Sequence, residues 1–327
     1  MLGESGAVAT PPANFHARSD ATAPETSLGG RLWRDRWIYV FLLPTLLLYS
    51  AYTIWPVLAT ISYSLLDWNG FDAEGEFIGL ANYAELLEDP QFWNAFANTL
   101  IFLAFAVPLR VGIALVLAVI LNNPRLPFAR IFRTALFLPV VTTGAIVGVV
   151  MRFVLDPTGG PINVALVASG LLERPVNFLG QASLALYSAV AIWVWKWLGV
   201  TMIYWLAALQ TIPKELYEAA RIDGAGRVAQ FRYVTLPLLL PFLLIITLIT
   251  AVEATNVFDL VLTLTGGGPF YATEVIDIFV YRQAFAANIP RLGYASASAL
   301  FFGACVLLLV ALQVAVRARF KRPVEDR

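Results

Sequence analysis

The sequence predicts an all-α membrane protein that crosses the bilayer six times, with its N and C termini on the cytoplasmic side. Three observations predict this fold. First, 59% of the 327 residues are hydrophobic and only 13% are charged, whereas a soluble domain carries about 25% charged residues. Second, six long segments are almost free of charge. Third, basic residues are concentrated in alternate loops.

Each predicted span satisfies the length of about 20 apolar residues that a membrane helix needs. The six spans are 37–66, 90–124, 134–151, 175–213, 233–265 and 292–316. Charges occur in the second span (Arg110), the fourth (Lys196) and the fifth (Glu253 and Asp259). Residues 81–88, in the loop after the first span, are expected to form a short surface helix.

The orientation follows from the distribution of lysine and arginine. Sixteen of these residues lie in the N-terminal tail, the loops after spans two and four, and the C-terminal segment, whereas three lie in the alternate loops. Cytoplasmic loops carry the excess of positive charge. We therefore expect a disordered cytoplasmic tail at 1–36, a transmembrane domain at 37–320 and a cytoplasmic tail at 321–327.

A membrane-embedded enzyme is not expected. One cysteine and one histidine provide neither an internal disulfide nor a zinc-binding HExxH motif. The sequence contains no GxSxG motif and no Gly-Lys dipeptide, so a serine nucleophile elbow and a Walker phosphate loop are absent. We expect no catalytic residue, no metal site and no cofactor bound by this chain, and no nucleic-acid partner.

The loop at 211–237 is polar and is predicted to contain a helix. Pro213 suits a first helical turn, and residues 214–223 are good helix formers. Gly224 can adopt the left-handed conformation that ends a helix. Ala219 and Ala220 lie on one face of this helix, where their small side chains allow another backbone to approach.

A motif within this loop resembles the EAA loop of the permease subunits of binding-protein-dependent ABC importers. In the family pattern, Glu-Ala-Ala is followed by three residues and Gly, and then by nine residues, an aliphatic residue, any residue and Leu-Pro. Here Glu218-Ala219-Ala220, Gly224 and Val234-Thr235-Leu236-Pro237 match every spacing. The one departure is Val234, where isoleucine is commoner. The resemblance extends over about 37–320 and is to the first permease subunit of maltose or glycerol-phosphate-type systems.

The resemblance implies a fold and a set of partners. The fold is that of a type I ABC importer permease, located in the cytoplasmic (inner) membrane of a bacterium or archaeon. The partners are a second permease subunit that completes a heterodimer, a homodimeric cytoplasmic ATPase that binds ATP and Mg²⁺, an extracytoplasmic solute-binding protein, a sugar and membrane lipid. In the family, the EAA helix docks into the ATPase. The coupling surface would comprise Glu218, Ala219, Ala220, Asp223 and Gly224.

Polar residues at membrane depth are candidates for a substrate pathway, because each charge there costs about 2.5–3.5 kcal/mol on insertion. Thr250, Glu253 and Asn256 have the spacing of one helix face and offer donors and acceptors to sugar hydroxyls. The fourth span supplies aromatic rings for the apolar faces of a sugar. The predicted pathway residues are Thr250, Glu253, Asn256, Trp193, Lys196, Trp197 and Arg110.

Structural roles for these residues remain open from sequence alone. Glu253 could form an ion pair with Arg110 or Lys196, and the tryptophans could serve in packing or in an interfacial belt. An ion-coupled secondary transporter that relays protons through such charges is the alternative function, but it leaves the EAA-like motif unexplained. The substrate also stays open among maltose-type disaccharides, other oligosaccharides, monosaccharides and glycerol phosphate, and Arg110 alone would favour an anion.

Overall fold

The computed structural model describes residues 36–123 and 126–320, with side chains through residue 315. The described residues divide into two compact units, with the boundary between Pro56 and Val57. Residues 1–35 and 321–327, for which we predict cytoplasmic tails, lie outside the described residues. Within the first unit, every side chain from Arg36 to Pro56 is exposed, as expected for an apolar helix whose surface faces lipid or another protein rather than its own core.

The described residues are predominantly helical. The helices are α1 (Arg36–Tyr49), α2 (Trp55–Tyr63), α3 (Ala81–Glu88), α4 (Pro90–Leu121), α5 (Ala129–Val141), α6 (Gly144–Val154), α7 (Pro161–Ala168), α8 (Ala182–Leu209), α9 (Lys214–Ile222), α10 (Arg227–Gln230), α11 (Leu236–Ala254), α12 (Phe258–Leu264), α13 (Ile276–Tyr281) and α14 (Leu292–Phe320). Three π-helical turns lie at Ser50–Ile54, Phe231–Thr235 and Arg282–Ala286. Strands β1 (Leu66–Asp67) and β2 (Glu76–Phe77) pair antiparallel, with Leu66 opposite Phe77.

Within the described residues, five helical stretches are long and apolar enough to cross a membrane. They are Arg36–Tyr63, Pro90–Leu121, Ala182–Gln210, Arg227–Ala254 and Leu292–Ala315. They correspond to predicted spans one, two, four, five and six, and α3 confirms the predicted surface helix. The all-α membrane fold is therefore confirmed, with six spans if the bent pair described next crosses as one.

The predicted third span, 134–151, is not one continuous helix. Helices α5 and α6 meet at a bend of 103°. Thr142 and Thr143 are both extended at the bend, with ψ angles of 144° and 151°. The Thr143 hydroxyl accepts a hydrogen bond from the Ile146 amide at 3.4 Å, so Thr143 caps the start of α6. Hydropathy alone gave no sign of this break, because the bend residues are uncharged.

The core of the second unit is centred on α4 and α8, which form the most extensive helix–helix contact. Trp193 and Trp205 of α8 are almost completely buried, and the Trp205 indole donates to the Val111 carbonyl of α4 at 3.0 Å. Helix α5 packs on another face of α8, where Gly199 permits close backbone approach. These contacts place the polar residues of α4 and α8 in one buried layer.

We expect Gly199→Ala to destabilise the protein by about 1–3 kcal/mol, because the added carbon overpacks a tight contact. A Cβ at this position would lie 2.4 Å from the Leu136 carbonyl oxygen and 2.7 Å from the Phe137 Cα. Both atoms belong to the α5 backbone, so no side-chain rotation relieves the clash. Thermal unfolding in detergent measures the effect.

The matched control is Gly112→Ala in α4, since a Cβ there meets no atom within 4 Å. It should melt at or above the wild-type temperature, because alanine is favoured over glycine in a helix by about 1 kcal/mol. Equal melting temperatures for the two variants would contradict the close packing of α5 on α8.

The segment between α12 and α13 is tied to the start of α4. The Asn98 side-chain amide donates to the carbonyl oxygens of Tyr271 and Glu274, at 3.0 Å each. The Glu274 side chain is 1% exposed and pairs with Arg282, with 3.0 Å between Oε1 and Nη2. Burial raises the pKa of Glu274 from 4.5 to about 7, because a carboxylate loses its hydration there.

The raised pKa of Glu274 predicts a pH-dependent stability. The contribution of Glu274 to the free energy of unfolding is fully present below about pH 4.5 and is lost as the pH rises through about 7. The loss is about 3 kcal/mol. Burial also raises the pKa of Asp277, to about 6, which acts in the same direction. The melting temperature of Glu274→Gln should therefore fall less than that of the wild type between about pH 5 and about pH 8. The melting temperature of the exposed control Glu76→Gln should change with pH as that of the wild type does. If the melting temperature of Glu274→Gln changed with pH as steeply as that of the wild type, the prediction would be contradicted.

Candidate functional site

The coupling segment predicted at 211–237 forms a short exposed helix between α8 and α11. Helix α9 begins at Lys214, immediately after Pro213, and ends at Ile222. Gly224 has a φ of +82°. The Gly224 amide donates to the Arg221 carbonyl at 3.1 Å and the Ala225 amide donates to the Ala220 carbonyl at 2.8 Å. This pair of bonds is a Schellman motif, so the predicted left-handed glycine cap is confirmed.

The five predicted coupling residues lie together at the C-terminal end of this helix. Glu218, Ala219, Asp223 and Gly224 are exposed, and Ala220 is half-buried. Beside them, the apolar side chain of Ile222 is 86% exposed. This polar helix therefore exposes small residues and one large apolar side chain, a combination that is typical of surfaces that bind a partner.

A second set of contacts joins this helix to the membrane helix that follows it. The Tyr217 hydroxyl lies 2.9 Å from the Thr235 hydroxyl oxygen, and Tyr217 packs against the hydrophobic core. The Gln230 side-chain amide donates to the Ala225 carbonyl at 2.8 Å. Thr235 directly precedes α11, so these bonds connect α9 to the start of α11. The sequence analysis did not single out Tyr217, because its partner Thr235 lies in a different element.

At membrane depth, the structure brings most of the predicted pathway residues together around one ion pair. Arg110 of α4 has no exposed surface, and its Nη1 lies 2.7 Å from Glu253 Oε2 of α11. The structure thus assigns Glu253 to Arg110 rather than to Lys196. The Glu253 side chain remains 35% exposed, so one carboxylate edge of the pair is accessible.

Two tryptophans of α8 cover the remaining faces of the arginine. The Arg110 guanidinium carbon lies 4.8 Å from the Trp193 ring centroid and 5.8 Å from that of Trp197. Lys196 is buried, with its Nζ 3.8 Å from the Trp197 ring centroid. We call Arg110, Glu253, Trp193, Trp197 and Lys196 the polar cluster.

Two of the predicted pathway residues differ from expectation. Helix α11 ends at Ala254, so Asn256 lies outside it and does not share a helix face with Glu253. Thr255 ends the helix, and its hydroxyl bonds to the Val252 carbonyl at 2.8 Å. Thr250 is on α11 but has no exposed surface, so it does not line an open cavity in this conformation.

Comparisons with known proteins agree over most of the chain. Residues 78–322 match the family described as "Binding-protein-dependent transport system inner membrane component". The chain is 33% identical over 300 residues to the lactose transport system permease protein LacF of Rhizobium radiobacter, covering 90% of this chain and 95% of that protein. It is 36% identical over 251 residues to the sn-glycerol-3-phosphate transport system permease protein UgpA of Yersinia pestis bv. Antiqua, covering 76% and 83%.

A solved structure has a similar fold. It is a chain of a bacterial alginate ABC transporter in complex with an alginate pentasaccharide-bound periplasmic protein, matched at a TM-score of 0.77 and 25% identity. The match covers 90% of this chain and 98% of that chain.

Proposed function

The chain belongs to the family of binding-protein-dependent transport system inner membrane components, and from this premise we propose how it works. It is a multi-pass membrane protein and the permease subunit of an importer for a sugar or sugar derivative, not an enzyme. The ion-coupled secondary transporter is not favoured, because the relatives and the solved structure belong to binding-protein-dependent or ABC import systems.

The proposed orientation places α9 and both termini in the cytoplasm of a bacterial or archaeal cell. The excess of lysine and arginine in the segments assigned to that side supports it. With this orientation, the segment between α12 and α13 and the surface helix α3 face outward.

The proposed motor is a separate homodimeric ATPase that binds ATP and Mg²⁺ and docks on α9. One observation carries this proposal: α9 exposes Ala219 and Ile222 on its surface while Tyr217 is bonded to Thr235 at the start of α11. The exposed side can receive a partner, and the bonded side can transmit its movement to a helix that carries Glu253.

The remaining partners complete the path of the substrate. A solute-binding protein would deliver the sugar to the outer face, and the periplasmic protein in the similar alginate transporter complex supports such a partner. A second permease subunit would form the other half of the pathway as a heterodimer. Within this chain, the half-exposed Glu253 and the partly exposed Trp197 would contact the hydroxyls and the apolar face of the sugar.

The test of this function is the energy source for uptake into right-side-out vesicles that contain the full transporter, with ATP inside and the binding protein outside. Uptake should require both ATP and the soluble binding protein, and should persist when ionophores dissipate the ion gradients. Uptake that follows an imposed ion gradient without ATP or binding protein would contradict the proposal.

A further inference from the structure

We propose that the polar cluster selects a neutral saccharide and rejects phosphorylated or carboxylated sugars. This inference rests on the proposed function, because it names the substrate class of the same site. The relatives leave the charge of the substrate open, since their names include lactose and glycerol 3-phosphate and the solved structure carries alginate, an acidic polysaccharide.

Arg110 is the residue that would attract an anion, but its charge is already neutralised. Glu253 lies 2.7 Å from it, and the arginine has no exposed surface. Trp193 and Trp197 lie over the guanidinium group in contacts typical of cation–π interactions. A phosphate or carboxylate would have to displace Glu253 from a buried pair in order to reach Arg110.

The second cation of the cluster is also occupied. Lys196 is only 2% exposed, and its ammonium group lies over the Trp197 ring at 3.8 Å. Neither cation of the polar cluster is therefore accessible to an anion, since Arg110 has no exposed surface and Lys196 is buried.

The groups that remain accessible are acceptors and an aromatic ring. Glu253 is 35% exposed, Asp259 is exposed and Trp197 is partly exposed. Sugar hydroxyls can donate to the carboxylates, and the apolar face of a sugar can pack on the indole. An anion placed beside Glu253 would be repelled by its carboxylate. Arg152 is a separate cation, exposed in the last turn of α6 at a pocket that it shares with Asp156.

The experiment measures tryptophan fluorescence in the transporter complex of both permeases and the ATPase, without the solute-binding protein, so that the selectivity of the binding protein does not enter. The probes are maltose and lactose as neutral sugars, and glycerol 3-phosphate and an alginate pentasaccharide as anions. We expect saturable quenching by a neutral sugar and none by the anions at equal concentration. The signal should vanish in Trp197→Phe and persist in the control Trp195→Phe, which alters a residue that is 45% exposed.

A charge variant provides the second measurement. Glu253→Gln keeps an amide oxygen beside Arg110 but removes the negative charge, so anion affinity should rise by about tenfold or more and neutral-sugar affinity should fall. The exposed control Glu76→Gln should bind like the wild type. Quenching of the wild type by either anion would overturn the inference, and so would the absence of quenching by both neutral sugars. An unchanged preference in a correctly assembled Glu253→Gln complex would overturn it as well.

The two proposals fail in different ways. ATP-driven, binding-protein-dependent uptake of an anionic solute would overturn the charge selectivity and leave the importer function intact. Uptake without ATP would overturn the importer function itself.

Discussion

Ala219→Glu should leave the protein in the membrane at wild-type levels while sugar uptake falls and is no longer coupled to ATP hydrolysis. Ala219 is exposed on α9, so the longer side chain has room within this chain. In the docked complex the glutamate would place an unpaired charge where the proposed ATPase approaches. The free-energy cost of burying that charge exceeds about 1.4 kcal/mol, which corresponds to a tenfold change in affinity. We therefore expect uptake to fall by at least about tenfold.

Gly224→Asp tests the same surface at the helix cap. A Cβ at Gly224 meets no atom within 4 Å, but the backbone has a φ of +82°, which costs a non-glycine residue about 1–2 kcal/mol. The expected result is again an assembled protein that does not couple. The matched control is Ala81→Glu, at an exposed alanine that begins the surface helix α3. Normal transport by both loop variants would show that α9 is not the docking element.

Glu253→Leu should destabilise the protein by about 3–5 kcal/mol, because it leaves the fully buried Arg110 without its counter-charge. The double variant Arg110→Leu/Glu253→Leu removes both charges and should recover much of that loss, since an apolar pair is tolerated where an unpaired charge is not. Thermal unfolding and the yield of assembled complex measure the difference.

This comparison separates the structural role of the pair from its role in transport. If the double variant is stable yet fails to take up sugar, the Arg110–Glu253 pair serves the pathway as well as the fold. If the stability losses of Arg110→Leu and Glu253→Leu sum to the loss of the double variant, the 2.7 Å pair between Arg110 and Glu253 makes no energetic contribution.

The sequence sufficed for features that depend on local patterns. The apolar segments located five continuous spans, and the motif around Glu218 and Gly224 located both the exposed helix and its left-handed cap. The polar cluster was also foreseen in part, because a charge such as Arg110 at membrane depth requires a partner. The partner of Glu253 could not be chosen between Arg110 and Lys196, since the choice depends on how α4, α8 and α11 pack.

The features that the sequence did not predict depend on backbone breaks and tertiary contacts. Uncharged residues continue across the bend at 142–143, so hydropathy predicted one straight span where two helices meet at 103°. The same continuity carried the fifth span past its end at Ala254 and misplaced Asn256. The bond between Tyr217 and Thr235 joins residues in different elements, and no periodicity within either element predicts it.

The claim that a separate motor drives this permease through α9 is tested most directly by reconstitution with one component left out. Proteoliposomes that contain both permease subunits, the solute-binding protein and ATP, but no ATPase, should neither hydrolyse ATP nor accumulate sugar, and adding the ATPase should restore both. Accumulation of sugar against its gradient in the absence of the ATPase would contradict the account.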